Sequence, residues 1–323
     1  MTTDEEEYAK KLGSYIRKLR EEKGLSQECL AKETGSTRSH ISKIENGKVK
    51  LYGHTFDQIF RVLGKTLEEV TLELDKWVKN KFDNEFYELW DLSSGDIKIF
   101  EVGLKKLKNN EIYDKNTVYY KQAVALCDAI ILRKNEEYKK ALDIAYEALD
   151  ISKPILTKCD KNKRGREINF KYIEVTPLGN VEYKLLICIA HSKRLLKLLP
   201  EAIEIFESCK KSLELEEVSL ETRHRIQSTV FHSLSNLLIN EKRYEYAIAI
   251  AKEGKELCEK MKIYDNLGEI TYNIAAAYLY LGNTEVGMEY IKESREIFLI
   301  HKDIDKANMV YGFLKEKFGI ELH

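Results

Sequence analysis

The chain of 323 residues is long enough for about two domains. A composition of 43% hydrophobic and 33% charged residues with only 3 prolines excludes a disordered chain and disfavours a mainly β one. Lys and Arg number 53 and Asp and Glu 54, so the net charge of −1 gives no sign of a nucleic-acid partner.

Cysteine usage, the N-terminus and the absence of catalytic motifs narrow the function further. The 6 cysteines form no Cys-x-x-Cys pair, which favours free thiols in a reducing compartment. The 7 histidines lack metal-binding spacing, and no phosphate loop or nucleophile motif occurs, so we expect no metal, no cofactor and no enzyme activity. Residues 1–7 do not resemble a signal peptide, and no apolar run approaches the ~18 residues of a membrane span. We expect a cytoplasmic protein.

The charge is unevenly distributed, and its basic part coincides with a pattern of short helices. Over residues 8–55, eleven Lys or Arg stand against five Asp or Glu, as in a domain that contacts DNA. An amphipathic helix is predicted over 4–23, followed by two short helices over 26–34 and 37–45. Gly35 lies in the turn between the short helices, where a positive φ is usually required. This pattern predicts a helix-turn-helix whose second helix faces a DNA groove.

Two further helices are predicted over 55–63 and from Thr66, the latter with Leu67 facing inward. The five helices resemble the XRE (phage-repressor) class of helix-turn-helix domains over roughly residues 10–70, and we place the domain at 1–70. The matching residues are Gly24-Leu25-Ser26-Gln27, Leu30-Ala31, Gly35, Ile41, Ile44 and Glu45-Asn46-Gly47.

The resemblance to the XRE class implies which residues contact DNA. The second helix of the motif would present Arg38 and Ser39 to the bases, with Lys43 one turn further along. Arg can bridge guanine O6 and N7 with two hydrogen bonds. The resemblance also implies a buried ion pair between Arg20 and Glu45. Each polar residue taken alone also fits a solvated helix face. The predicted DNA-binding set is Arg17, Ser26, Gln27, Ser36, Thr37, Arg38, Ser39, His40 (a rim position), Lys43 and Asn46, of which Gln27, Ser36, Thr37 and Asn46 fall at phosphate-contact positions.

From residue 71 onward the chain is a succession of predicted helices with an internal repeat. Small residues that would let two helices of a pair pack closely recur at fixed offsets. The pattern resembles the tetratricopeptide repeat and predicts a right-handed α-solenoid over 71–323, so the fold class is all-α. A weaker helix pair is predicted at 71–91 and 94–108. The small residues are Ala129, Ala141, Ala148, Ala190, Ala202, Cys209, Ser235, Ala247, Gly254, Ala275, Gly287 and Ser294.

The interval between the first two clear repeats contains a basic excursion at 157–179. Its part at 168–175 has an almost strand-like pattern. A basic segment of this kind fits a solvated surface better than a second DNA contact.

The first helix of each repeat would build the concave wall of the solenoid. Asparagines on that wall can clamp the backbone of an extended peptide, because each side chain carries a donor and an acceptor. Arg194 can hold a carboxylate, either a peptide C-terminus or an acidic side chain. Each residue alone also fits a polar surface position. As a group they predict a peptide groove of His191, Arg194, His232, Asn236, Asn240, Tyr272, Asn273 and Tyr280.

The two parts together resemble the peptide-pheromone-responsive Gram-positive regulators of the Rgg, PlcR and PrgX type. The run Leu12-Gly13-Ser14-Tyr15-Ile16-Arg17-Lys18-Leu19-Arg20 near the start fits that group as well. The resemblance implies a homodimer that binds double-stranded DNA at an operator of two half-sites and is switched by a short signalling peptide. Two alternatives stay open: a protein-interaction adaptor whose repeats hold a folded protein, and a ligand-independent dimeric repressor whose repeats only dimerise.

Overall fold

A computed structural model describes residues 3–51, 53–93, 95–160, 165–213 and 220–319. The chain divides into two compact units, Met1–Tyr120 and Lys121–His323. Both units are helical, and the strands in the described ranges form one short hairpin. None of the described helices is both long enough and apolar enough to cross a bilayer.

The first unit contains six helices in its described residues, and its core holds the first four helices against the start of the fifth. The buried side chains are Leu12, Ile16, Leu19, Leu30, Ala31, Ile41, Ile44, Ile59, Phe60, Leu63, Val70 and Leu74. The helices are α1 (Thr3–Glu22), α2 (Gln27–Glu33), α3 (Arg38–Glu45), α4 (Gly53–Leu63), α5 (Leu67–Leu92) and α6 (Ile97–Asn109).

Capping residues define the two short helices. The Ser26 hydroxyl accepts a hydrogen bond from the Cys29 backbone N–H at 3.0 Å, and the Thr37 hydroxyl accepts one from His40 N–H at 3.1 Å. Each cap satisfies a backbone donor that the first helical turn leaves free. Gly35 has a φ of 61°, in the left-handed region that the turn between the helices requires. The helices therefore lie as predicted, with Ser26 and Thr37 just outside them as N-caps.

The fifth helix differs from the sequence-based expectation. We predicted one helix from Thr66 and a separate helix at 71–91, but the structure has a single helix of 26 residues, α5. A capping box between Thr66 and Glu69 starts it, and the sequence contains no Gly or Pro between 67 and 92 to interrupt it. The prediction that Leu67 faces inward was also wrong. Leu67 is 59% exposed because it lies in the first turn, before Val70 reaches the core.

The second unit contains helix pairs that repeat along the chain. A hydrogen bond links the two helices of the first pair, because Gln122 Nε2 donates to the Ala148 carbonyl at 2.9 Å. Successive first helices of the later pairs lie side by side. The helices are α7 (Val118–Lys134), α8 (Tyr138–Ser152), α9 (Phe170–Ile173), α10 (Asn180–Leu195), α11 (Leu199–Ser212), α12 (Leu220–Asn240), α13 (Tyr244–Met261), α14 (Leu267–Tyr280), α15 (Thr284–Ile300) and α16 (Ile304–Phe318).

All twelve of the predicted small residues are buried in the structure. The turns inside the four pairs also share one geometry, since Glu136, Lys197, Lys242 and Gly282 all have φ between 59° and 81°. Each of these residues stands five positions before the small residue that begins the close packing of its pair. Small side chains at these positions allow the two helices of each pair to pack closely.

A small hairpin interrupts the repeats between α8 and α10. Strands β1 (Thr157–Asp160) and β2 (Gly165–Ile168) pair antiparallel, with Thr157 opposite Ile168. The strand-like pattern predicted at 168–175 was therefore misplaced, because Phe170–Ile173 is a helical turn and the strand ends at Ile168. The basic residues 161, 163 and 164 of the predicted excursion lie outside the described residues.

Candidate nucleic-acid interface and ligand groove

Helix α3 presents a polar face whose side chains are free for an external partner. Ile41 and Ile44 are buried, so they fix the orientation of the helix, and Arg38, Ser39 and Lys43 on the other side are exposed. The side chains of Arg38 and Lys43 make no ion pair and no hydrogen bond with the described residues. Two extended cations on one short helix can contact DNA bases and phosphates without first breaking an internal bond.

Several of the residues predicted to contact DNA also hold the local structure together. The Ser36 hydroxyl and His40 Nδ1 are 3.0 Å apart, which ties the His40 ring to the turn. Thr37 and Ser26 cap their helices. Serine and threonine caps place their own helix N-termini at the surface, where backbone N–H groups can receive a phosphate.

A buried carboxylate links α1, α2 and α3. Arg20 Nε donates to Glu45 Oε1 at 2.6 Å and Arg20 Nη2 donates to Glu45 Oε2 at 3.1 Å. Gln27 Nε2 donates to Glu45 Oε2 at 2.8 Å, and Arg17 Nη2 donates to Asn46 Oδ1 at 2.9 Å. Three of the residues predicted to contact DNA, Gln27, Arg17 and Asn46, thus also brace the C-terminal end of α3.

The environment of Glu45 keeps it ionised. Burial alone would raise the pKa of Glu45, but hydrogen bonds from Arg20 and Gln27 and the positive charges nearby outweigh burial and lower the pKa. The hydrogen bond to Glu45, partly opposed by burial, raises the pKa of Arg20. A carboxylate without solvent access and a guanidinium that is 9% exposed therefore form a charged pair inside the domain.

The predicted groove residues lie on α10, α12 and α14, and most are partly accessible. His191, Arg194, His232 and Asn236 are half-buried, and Asn240 is exposed. Asn240 Nδ2 donates to Asn236 Oδ1 at 3.2 Å, so these two amides lie side by side on one helix. Their remaining donors and acceptors can pair with a peptide backbone.

Asn273 does not belong to the open wall. It is 1% exposed, and its Nδ2 donates to the His232 carbonyl at 3.0 Å and to Ser235 Oγ at 2.8 Å. The side chain cross-links α14 to α12 and has no free surface. Its prediction as a groove residue is corrected because the Asn273 side chain is buried against α12.

Tyr272 and Tyr280 lie in an aromatic cluster with α16. Tyr272 packs edge-on against Phe313 with ring centroids 5.2 Å apart, and Tyr280 lies 5.3 Å from Phe318. Tyr280 also stacks on Tyr244 at 5.2 Å. Aromatic rings with one open edge offer an apolar surface for a ligand side chain, and 40% of Tyr280 is exposed.

Comparison with known proteins identifies the fold of the first part of the chain. Residues 16–70 match the helix-turn-helix family HTH_3. Residues 16–70 are a helix-turn-helix domain. No curated protein sequence matches the chain at a significant level.

Structures of similar fold extend the likeness to nearly the whole chain. Bacillus thuringiensis PlcR in complex with the peptide PapR7 and DNA is 17% identical with a TM-score of 0.54, and the match covers 94% of this chain and 99% of that chain. The apo form of PlcR is 17% identical with a TM-score of 0.56, covering 96% and 100%. ComR from S. thermophilus in complex with DNA and its signalling peptide ComS is 14% identical with a TM-score of 0.50, covering 93% and 97%. Identities this low show a shared fold: a helix-turn-helix domain followed by a helical-repeat body.

Sequence reasoning missed three residues beside the groove. Phe313 and Phe318 belong to the last described helix, α16, and their rings pack against each other. Arg133 on α7 influences both Arg194 and His191 electrostatically. Arg133 stands eight residues before Ala141 just as Arg194 stands eight before Ala202, so the repeat itself would have pointed to it.

Proposed function

We propose that the protein is a sequence-specific transcriptional regulator whose operator binding is switched by a short signalling peptide held in the groove of the repeat unit. The observation that carries the proposal is the combination of exposed cations on α3 of the helix-turn-helix domain with a repeat unit whose first helices present partly accessible polar and aromatic side chains. PlcR and ComR, which have the same fold, were crystallised with both DNA and a peptide.

The DNA-binding half of the proposal assigns Arg38 as the main base-reading residue. Its exposed guanidinium can form two hydrogen bonds with one guanine, worth roughly 1–3 kcal/mol of discrimination. Ser39 is too short to read one base strongly, and Lys43 adds a flexible cation. A single helix of this kind reads few bases, so specificity requires two copies of the domain on two half-sites about one helical turn apart.

Dimerisation is therefore part of the proposal. The end of the repeat unit exposes apolar side chains that a second copy would cover: Ile300 is 76% exposed, Ile304 52% and Met309 58%. These residues lie close together in the chain, at the end of α15 and along α16. Sedimentation of the purified protein is expected to show a dimer, and Ile300→Asp is expected to shift it toward the monomer.

The first experiment selects operator sequences from random duplex DNA with the full-length protein, and then repeats binding with synthetic peptides encoded by small reading frames beside the gene. We expect a site of two half-sites and a change in affinity of at least tenfold with one peptide, which corresponds to about 1.4 kcal/mol of coupling. Selection that yields no preferred sequence would overturn the assignment of α3.

Two pairs of variants locate the two functions. Arg38→Ala is expected to abolish sequence-specific binding, whereas Arg61→Ala removes the same charge from the exposed side of α4 and is expected to leave specificity intact. Asn236→Ala is expected to weaken peptide binding without changing DNA binding by the peptide-free protein. Its matched control is Asn135→Ala, because Asn135 is an exposed asparagine in the turn after α7. Equal peptide titrations for both asparagine variants would rule out this wall.

A further inference from the structure

Two arginines on successive repeats lack partners in the described part of the chain. Arg133 and Arg194 occupy equivalent positions near the ends of α7 and α10, and both are half-buried. Neither forms an ion pair or a side-chain hydrogen bond with a described residue, and Arg194 Nε is buried without a partner. An unpaired guanidinium that has lost part of its hydration is costly to the fold, so such groups usually bind something.

The surroundings of the pair are positive. Burial first, and then the charge of Arg133, lowers the pKa of Arg194. Burial, followed by the charges of Arg133 and Arg194 and by His232, lowers the pKa of His191 well below its usual value. Arg133 and Arg194 each stand eight residues before the small residue of their pair, Ala141 and Ala202, so the repeat places them at equivalent points on the first helices of consecutive pairs.

The acidic group described near this space is already neutralised. Glu269 raises the pKa of His232, against the stronger effect of burial, but it is bonded to Lys306 Nζ at 2.7 Å. Lys306 also pairs with Asp303 at 3.1 Å, so this cluster has no charge to spare for Arg194. The repeat unit therefore lacks an internal counter-ion for the two guanidiniums in its described residues.

We infer that Arg133 and Arg194 together form a binding site for a carboxylate of the ligand. The inference rests on the proposed function, and it deepens that function by naming the ligand chemistry: the signalling peptide carries an acidic group at this point. Two guanidiniums provide planar pairs of N–H donors that match both oxygens of a carboxylate. The carboxylate belongs either to an Asp or Glu side chain or to the peptide C-terminus.

Conservative changes at either arginine are expected to weaken the site without unfolding the repeats. Arg133→Gln and Arg194→Gln keep most of the side-chain volume and remove the charge that repels its neighbour. Loss of one charged hydrogen-bonding partner is expected to lower the affinity for an acidic peptide roughly 10- to 100-fold. Arg243→Gln is the matched control, since Arg243 is exposed and packs over the Tyr246 ring at 5.1 Å.

The direct test uses sodium succinate as the probe and the full-length protein with 15N-labelled arginine. The Nε–Hε resonance of Arg194 is assigned by its loss in Arg194→Gln. We expect a saturable shift of this resonance with succinate at constant ionic strength, no shift with succinamide, and loss of the succinate shift in Arg133→Gln. A wild-type spectrum that does not respond to succinate, or a response unchanged in Arg133→Gln, would overturn the site.

Three synthetic heptapeptide pools identify the source of the carboxylate: an amidated pool without Asp or Glu, the same pool with a free C-terminus, and an amidated pool that contains Asp and Glu. If the immobilised protein selectively retains the pool with a free C-terminus, the carboxylate is that of the peptide C-terminus. If it selectively retains the amidated pool with Asp and Glu, the carboxylate is that of an acidic side chain. Equal retention of all three would refute the carboxylate site and leave the peptide groove standing. Retention of none, together with a succinate shift, would support the anion site and contradict the proposed peptide function.

Discussion

The ion pair inside the helix-turn-helix domain allows a sharp test of what holds α3 in place. Glu45→Gln replaces a carboxylate without solvent access by a neutral amide of similar shape and leaves Arg20, 9% exposed, without its partner. Removing one partner of a buried pair costs about 3–5 kcal/mol, because the remaining charge stays buried. Arg20 keeps a bond from Nη1 to the Leu25 carbonyl at 2.7 Å, and the new amide oxygen can still accept one hydrogen bond. We therefore expect the lower end, about 3 kcal/mol.

Both tryptophans of the chain, at 77 and 90, lie on α5 of the first unit. Urea unfolding of the full-length protein followed by tryptophan fluorescence thus reports the unit that contains the pair. With an m-value of about 1.5 kcal/mol/M, Glu45→Gln is expected to lower the midpoint by about 2 M. Glu22→Gln breaks the exposed pair between Lys18 and Glu22 on the same helix α1, and is expected to cost less than about 0.5 kcal/mol.

A double variant separates the charge effect from packing. Arg20→Met with Glu45→Leu removes both charges and fills the space with apolar atoms, so it is expected to cost less than either single change.

Stability should also depend on pH in a defined direction. The folded-state pKa of Glu45 is lowered, so its contribution is complete above the unfolded pKa of about 4.3 and is lost as pH falls through the folded value. A double variant as unstable as the sum of the singles, or an equal acid sensitivity in Glu45→Gln, would refute this account.

Three further predictions concern the turn and the groove. Gly35→Ala is expected to destabilise the first unit by about 1 kcal/mol in the same fluorescence assay, because a φ of 61° strains alanine while its Cβ would meet open space. Arg133→Gln is expected to raise the melting temperature of the ligand-free repeat unit, measured by circular dichroism, because it removes repulsion from Arg194. The lowered pKa values of His191 and His232 keep both rings neutral at pH 7, and a bound carboxylate would raise those values. Affinity for an acidic peptide, measured by calorimetry, is therefore expected to rise as pH falls through the pKa values of the two rings in the bound protein and to stay constant above them.

The sequence predicted local structure correctly where a spacing rule applies between residues that are close in the chain. The turn at Gly35 and the two short helices on either side of it each follow from a few neighbouring residues, and the structure confirms them. The small residues of the repeats were found for the same reason, since close helix packing excludes large side chains at fixed offsets.

Features that depend on what lies beyond the helix were harder to predict. The helical periodicity that predicts a buried Val70 also predicts a buried Leu67. However, α1–α4 do not extend far enough to cover the first turn of α5, where Leu67 lies. Asn273 and Asn236 are both asparagines on first helices, yet one cross-links α14 to α12 and the other is accessible. Asn236 stands one residue after the small residue Ser235, whereas Asn273 stands two residues before the equivalent Ala275, so the position in the repeat decides between these outcomes and side-chain type does not reveal it.

The unpaired arginines also bear on how a peptide can change DNA binding. A ligand shifts an equilibrium only by the difference between its affinities for the two states. A carboxylate held by both Arg133 and Arg194 binds best at one separation of α7 and α10, because two guanidiniums must reach the same pair of oxygens. The chain between these helices is the interval that carries the β1–β2 hairpin, and Arg166 of β2 lies 3.6 Å from Asp150 of α8. Asp150→Asn would loosen that attachment. If the spacing of α7 and α10 sets the response, this variant changes the coupling between peptide and operator binding more than it changes peptide affinity measured without DNA.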